Sequence, residues 1–162
     1  MAVRWTASGQ NYTRSLSLGT TTQFSLSCWV RLVTDRNSYS TLWSVDNGTS
    51  DCWVCQTWDD GTNLQVWDDG ATSRGSGVQL STGVWYWVAV AINGANGTFM
   101  VRAATAATPT VSTWSNGSSN VNAATLRIGD SPWGGEWWNG NMAAVKFWTG
   151  AALSQAELVN EA

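Results

Sequence analysis

The chain has 162 residues, eight basic against eleven acidic, a net charge of −3, thirteen tryptophans, three cysteines and no histidine. That length holds one domain with a full core and not two of ordinary size, so residues 1–162 are expected to form a single domain. The sparse charge excludes a basic patch for gripping phosphates, and with it nucleic acid as a partner; the missing histidine excludes Ser/His and Cys/His catalysis and removes the commonest zinc ligand.

The start, Met1-Ala2-Val3-Arg4-Trp5, shows no basic segment leading into an apolar one, so no leader is expected. No apolar run is long enough to insert into a membrane. The first clear strand follows: Phe24, Leu26, Cys28, Val30 and Leu32 alternate with Ser25, Ser27, Trp29 and Arg31 at a period of two. Short strands are then expected over Tyr39–Val45, Cys52–Trp58 and Asn63–Trp67, separated by the turn signals Asp46-Asn47-Gly48 and Asp60-Gly61. Cys52 and Cys55 lie three apart within a strand, on opposite faces, which disfavours a bond between them; buried thiols are expected, with a Cys28 pairing as the alternative.

Trp58-Asp59-Asp60-Gly61 recurs as Trp67-Asp68-Asp69-Gly70. Two copies nine residues apart are no solenoid. They read as successive strand-to-turn junctions, and the strand between them places the two acidic turns at opposite ends of the sheet, about 20 Å apart. They are not expected to build one shared site.

Val84–Ile92 is apolar on both faces, as a central sandwich strand would be. Thr98–Ala104 follows the turn signals Asn93-Gly94 and Asn96-Gly97. Ala103 to Asn122, rich in Ala, Thr, Ser and Asn, reads as a long exposed loop or an edge strand around Trp114. Thr125–Gly129 is a further strand, and Met142–Trp148 the last. One short helix closes the chain near residues 154–160, where Ser154 and Glu157 have capping-box spacing and Leu153 is the staple candidate. Many short strands with such turns predict an all-β, two-sheet antiparallel jelly-roll sandwich with one short C-terminal helix.

Catalysis is not expected. A retaining glycosidase needs two carboxylates aimed at one sugar, and in a β chain residues two or four apart along a strand could aim them so. Glu157 and Glu161 fall in the helix, and Glu136 has no acidic neighbour at strand spacing. Binding chemistry is better represented. Asp130, Trp133, Glu136, Trp137, Trp138 and Asn139 sit in a stretch of Gly, Pro and Ser that does not need three tryptophans and a carboxylate to fold. Aromatic platforms with a few polar groups suit saccharides, so these six are the expected ligand-binding residues. The alternative for Trp137 or Trp138 is a plug at the end of the sandwich.

Several segments, in order, carry a family resemblance: Phe24-Ser25-Leu26-Ser27-Cys28-Trp29-Val30, Gly83–Val90, Asn93-Gly94 with Thr98–Val101, Leu126-Arg127-Ile128-Gly129, and Trp138-Asn139-Gly140 through Glu157. Together they resemble the laminin-G-like domains of the concanavalin A-like jelly-roll superfamily. The chain departs from that pattern at Ala143 and Ala144, where many relatives carry acidic residues. The resemblance implies a module that binds surfaces and sugars, and in some members a calcium ion held by loop Asp and Asn residues. Asp46 and Asp51 are the foremost metal candidates, beside Asn47, Asp59, Asp60 and Asp130; none has EF-hand spacing, aspartates in turns commonly serve the turn, and no cofactor is otherwise expected.

The function expected is a non-catalytic binding or structural module of a phage virion, a capsid decoration or fibre-type protein able to adhere to host-surface glycans. Seven arginines to one lysine suggest a GC-rich genome, and the absent leader suits release by lysis. The alternative is a carbohydrate-binding module cut from a secreted bacterial polysaccharide enzyme, and a glycoside hydrolase comes third. The expected partners are a surface glycan, a virion capsid protein or both, and further copies of the chain; the expected location is the virion surface, or outside the cell for a secreted fragment.

Overall fold

The structure, a computed structural model, describes residues 2–7, 10–16, 23–48, 52–68, 73–117 and 125–162. Among them are twelve strands: β1 (Ala2–Trp5), β2 (Tyr12–Ser15), β3 (Gln23–Leu32), β4 (Ser40–Asp46), β5 (Cys52–Thr57), β6 (Asn63–Asp68), β7 (Ser73–Gln79), β8 (Trp85–Asn93), β9 (Asn96–Ala103), β10 (Thr110–Trp114), β11 (Thr125–Ile128) and β12 (Gly140–Thr149). One sheet runs β1-β12-β3-β8-β9-β10 and the other β2-β11-β4-β5-β6-β7. Neighbouring strands in both sheets are antiparallel, and the two sheets pack as a jelly-roll sandwich. No helix among the described residues is long and apolar enough to cross a membrane.

The period of two in β3 does what it predicts. Phe24, Leu26, Cys28, Val30 and Leu32 enter the main core and meet Trp43, Val45, Trp53, Cys55, Leu64 and Val66 from the facing sheet. β8 is apolar on both sides because both sides are covered. Tyr86, Val88, Val90 and Ile92 join the main core, while Trp87, Ala89 and Ala91 form a second, smaller core with Met100 and Leu158. Leu158 belongs to α1 (Gln155–Asn160), which has the expected capping box: the Ser154 hydroxyl accepts from the Glu157 N–H, and the Glu157 carboxylate accepts from the Ser154 N–H. The chain leading into α1 also covers the Ser face of β3, where the Ser25 hydroxyl donates to Ala151 O at 3.0 Å and accepts from Leu153 N at 2.8 Å.

Four strands lie beyond the sequence pattern or at its edge. β1 and β2 are short and largely exposed, and β7 is rich in Ser and Gly. β10, within the stretch left open between loop and strand, pairs with β9 as an edge. All four are edge strands, held by one neighbour rather than by an apolar face of their own. On the β7/β10 side the sandwich is closed from within. Arg74 pairs with Asp68 at 2.7 Å, and its guanidinium lies 5.5 Å from the Trp53 ring and 5.1 Å from that of Trp114.

The cysteines are buried thiols, with no bridge between Cys52 and Cys55. Burial pushes the Cys28 thiol up to about 12 and raises that of Cys55.

β12 bulges between Ala143 and Lys146, and Ala144 sits in the bulge at φ 48°, in the left-handed region. A side chain there costs about 1–2 kcal/mol, of which the greater unfolded-state freedom of glycine takes back part. Ala144→Gly is therefore expected to stabilise the fold by about 0.5–1 kcal/mol, read as a rise in the urea midpoint; an unchanged or lower midpoint would contradict the strain.

Candidate functional site

The site lies on the face of the second sheet turned away from the core. Leu64 and Val66 point inward from β6, so Gln65 and Trp67 point outward. Cys55 points inward from β5, so Gln56 points outward, and Trp58 continues the same face past the strand end. Gln56 and Gln65 are direct cross-strand partners. Trp58 flanks them at one end, where its N–H donates to Asn63 O at 2.7 Å, and Trp67 flanks them at the other, opposite Val54. The hairpin thus carries the same two side chains twice, related by the near two-fold symmetry of an antiparallel pair.

A loop from β11 to β12 forms the opposite wall. The chain leaves β11, crosses the outer face, and returns beside the start of β4. There Thr41 N donates to Glu136 O at 2.6 Å, and Thr41 and Trp137 form a lone parallel bridge. The loop is closed at its base, Trp138 N to Gly129 O at 3.0 Å, and its tip reaches β6, where the Trp133 ring meets Trp67 edge-on at 5.2 Å. Arg36, between β3 and β4, fastens it. Its guanidinium donates to Trp137 O at 2.9 Å and to Gly135 O at 3.1 Å, and lies 4.1 Å from the centre of the Trp137 ring.

What remains open is a cleft of about 420 Å³. Tyr39 and Trp58, 6.0 Å apart, make one wall; Trp67 and Trp133 make the other. Gln56, Gln65 and Ser73 form the floor, and Glu136 lines it as well. Trp58 and Trp133 are each 41% exposed, large rings held toward solvent. Burial raises the Glu136 carboxyl above its ordinary value, with Asp130 adding to the rise and the Ser131 side chain and Arg36 opposing it. Two polar atoms in the cleft are buried and lack a hydrogen-bond partner: Gln65 Nε2, a donor, and Glu136 Oε2, an acceptor. Cleft size, ring-lined walls and a few convergent polar groups are the ordinary make-up of a small-ligand site.

A wider hollow of about 750 Å³ opens on the other side of the sandwich, between β1 and β2, against Trp5, Ile128 and Phe147. It is mainly apolar and marks where the two sheet edges part.

Of the six expected ligand-binding residues, two line the cleft, Trp133 and Glu136. The structure places the other four outside its lining. Trp138 is fully buried in the main core, so it plugs the sandwich. Trp137 spends its ring face on Arg36 and its carbonyl on the same side chain. Asp130 is buried, accepting from Asn11 Nδ2 at 3.2 Å and from Ser131 N at 2.9 Å, and so shapes the loop. Asn139 is not among the lining residues; its carbonyl accepts from Val33 N at 3.1 Å.

The metal candidates fare likewise. Asp46 is buried against Arg127 at 3.0 Å, accepts from the Ser44 hydroxyl at 2.8 Å and from Gly48 N at 3.1 Å, and so lacks a free face for calcium. Asp51 lies outside the described residues. Asp60 accepts from Thr62 N and Asn63 N, both at 2.9 Å, which makes it a turn-former. Among the described residues no three His, Cys, Asp or Glu side chains gather to hold a metal ion.

Sequence reasoning missed Tyr39, Gln56, Trp58, Gln65, Trp67 and Ser73 as site residues. The signal was in view. The repeat extends two residues upstream, as Gln56-Thr57-Trp58 and Gln65-Val66-Trp67, and a spacing of two puts both members of each pair on one face. Trp58 and Trp67 stand toward different ends of the hairpin, yet they share one cleft; Asp69 and Gly70 of the second copy lie outside the described residues.

No curated protein matches the chain. Solved structures do, at identities that show the fold alone. Domain 4 of an extracellular arabinanase from Geobacillus stearothermophilus, in complex with arabinotriose, matches at TM-score 0.66 and 15% identity, over 94% of this chain and 72% of that one. The CBM40 of a Ruminococcus gnavus sialidase, bound to α2,3-sialyllactose, matches at 0.64 and 14%, over 98% and 94%. The enzymatically active domain of bacteriophage CBA120 tailspike protein 2 matches at 0.73 and 12%, over 99% of this chain but 29% of that one. A family model covers residues 6–159, and by that match the chain belongs to the concanavalin A-like lectin/glucanase superfamily.

Proposed function

We propose that the chain is a non-catalytic glycan-binding module and that the cleft between Tyr39–Trp58 and Trp67–Trp133 is its binding site. The carrying observation is the pair of aromatic walls around a floor of amide side chains, with Gln65 Nε2 and Glu136 Oε2 unpartnered. Sugar rings offer flat C–H faces for the indoles and hydroxyls for the polar atoms. Among the described residues that line the cleft Glu136 is the one carboxylate, which supports binding over hydrolysis, since most glycosidases need two. The arabinotriose and sialyllactose complexes of similar folds support the same reading, and a location at a surface or outside the cell goes with it.

For its setting we favour a virion, with a host-surface glycan as the target. The likeness to a phage tailspike supports this; the likeness to an arabinanase domain supports the alternative, a module of a secreted polysaccharide enzyme. The test is a glycan array followed by titration of the best ligand. Trp67→Ala and Trp58→Ala are each expected to weaken binding by about 2 kcal/mol, roughly thirtyfold, as aromatic hot spots do. Full affinity in both variants would move the site elsewhere.

A further inference from the structure

We infer, resting on the glycan-binding reading, that the cleft takes an uncharged oligosaccharide long enough to lie on both aromatic walls, and discriminates against acidic glycans. The polarity of the floor comes first. The Thr41 hydroxyl donates to Gln56 Oε1 at 3.4 Å, and the Ser73 hydroxyl donates to Gln65 Oε1. Each amide therefore has its carbonyl engaged by a neighbouring strand, on either side of the hairpin, and its NH₂ group left for other partners. That of Gln65 is buried and has none. Glu136 Oε2 supplies the complementary acceptor. Sugar hydroxyls match both kinds of atom, since a hydroxyl can accept from an amide NH₂ and donate to a carboxylate oxygen.

Charge comes second. Among the described residues lining the cleft, Glu136 is the one carboxylate, and there is no lysine or arginine. Arg36 acts on Glu136, but its guanidinium is committed to the Trp137 ring and to two loop carbonyls. A ligand carboxylate would meet a half-buried negative charge with no cation in the cleft to answer it.

Length comes third. Trp58 stands at the register of Asn63 and Trp67 four residues further along β6, about 13 Å at about 3.3 Å per residue. One ring cannot stack on both; a chain of rings can.

The experiment is titration calorimetry on the whole chain. The neutral probes are cellotetraose, xylotetraose, chitotetraose and arabinotetraose with their monosaccharides, and the acidic probes are tetragalacturonate and sialyllactose. At least one neutral tetrasaccharide is expected to bind about tenfold or more tighter than its monosaccharide and than either acidic probe. Glu136→Gln should narrow the gap to the acidic probes several-fold, and Trp58→Ala or Trp67→Ala should bring the tetrasaccharide down toward its monosaccharide. Acidic probes binding as tightly as neutral ones would overturn the inference and leave the glycan reading standing. A monosaccharide matching its tetrasaccharide would overturn the two-wall site. Absence of binding by every probe would overturn both the inference and the glycan reading.

Discussion

Trp138→Ala is expected to cost about 3–5 kcal/mol of stability, while Trp133→Ala, five residues earlier in the same loop, should leave melting within about 1 kcal/mol of the parent. Trp138 has no exposed surface and packs within the main core, so truncation leaves a cavity that the surrounding strands cannot fill. Its seat is built for it. A Cβ on Gly140 would lie 2.3 Å from Arg31 O and 2.6 Å from the Trp138 indole nitrogen, so only glycine lets β12 start this close to the ring. Trp133 meets Trp67 edge-on and is 41% exposed, and its loss should appear in ligand affinity. Chemical denaturation of the two variants separates the roles. Equal losses of stability would mean that Trp133 is core as well, and the cleft would lose one wall.

The second large effect lies on the opposite side of the sandwich. Arg74→Met is expected to destabilise by about 3–5 kcal/mol, because it leaves the Asp68 carboxylate buried without the guanidinium facing it. The two side chains are almost wholly enclosed, at 6% and 1% exposure. Arg74 also lies against Trp53 and Trp114 and donates to Asn116 O at 3.3 Å, so it joins β7 to the β10 side. Adding Asp68→Ala to Arg74→Met removes the stranded charge and should restore part of the loss. A double-mutant cycle measures the coupling, and strict additivity would contradict a direct ion pair.

The apolar strands were legible in the sequence because their own side chains determine them. β3 alternates apolar and mostly polar residues and β8 is apolar on both faces, and the Ser154–Glu157 spacing marks the helix start. β1, β2 and β7 were not legible. Ser73–Gln79 reads Ser-Arg-Gly-Ser-Gly-Val-Gln, a turn-like composition that becomes a strand because β6 offers it a ladder. The site divided along the same line. Trp133 and Glu136 stood out because a glycine-rich loop has no folding need for them. Trp58 and Trp67 resembled ordinary strand-end residues, since which face of a sheet stays open depends on what crosses it. Here the crossing segment comes from the β11–β12 connection, more than sixty residues further along the chain.

The central claim is that the cleft over the Gln56–Gln65 pair holds the sugar. Its most direct test is a crystal structure of the chain soaked with the tightest neutral oligosaccharide. Rings are expected stacked on Trp58 and on Trp67 or Trp133, with hydroxyls within hydrogen-bond distance of Gln65 Nε2 and Glu136 Oε2. Density for the sugar in the hollow between β1 and β2, with the Gln56–Gln65 cleft empty, would contradict it.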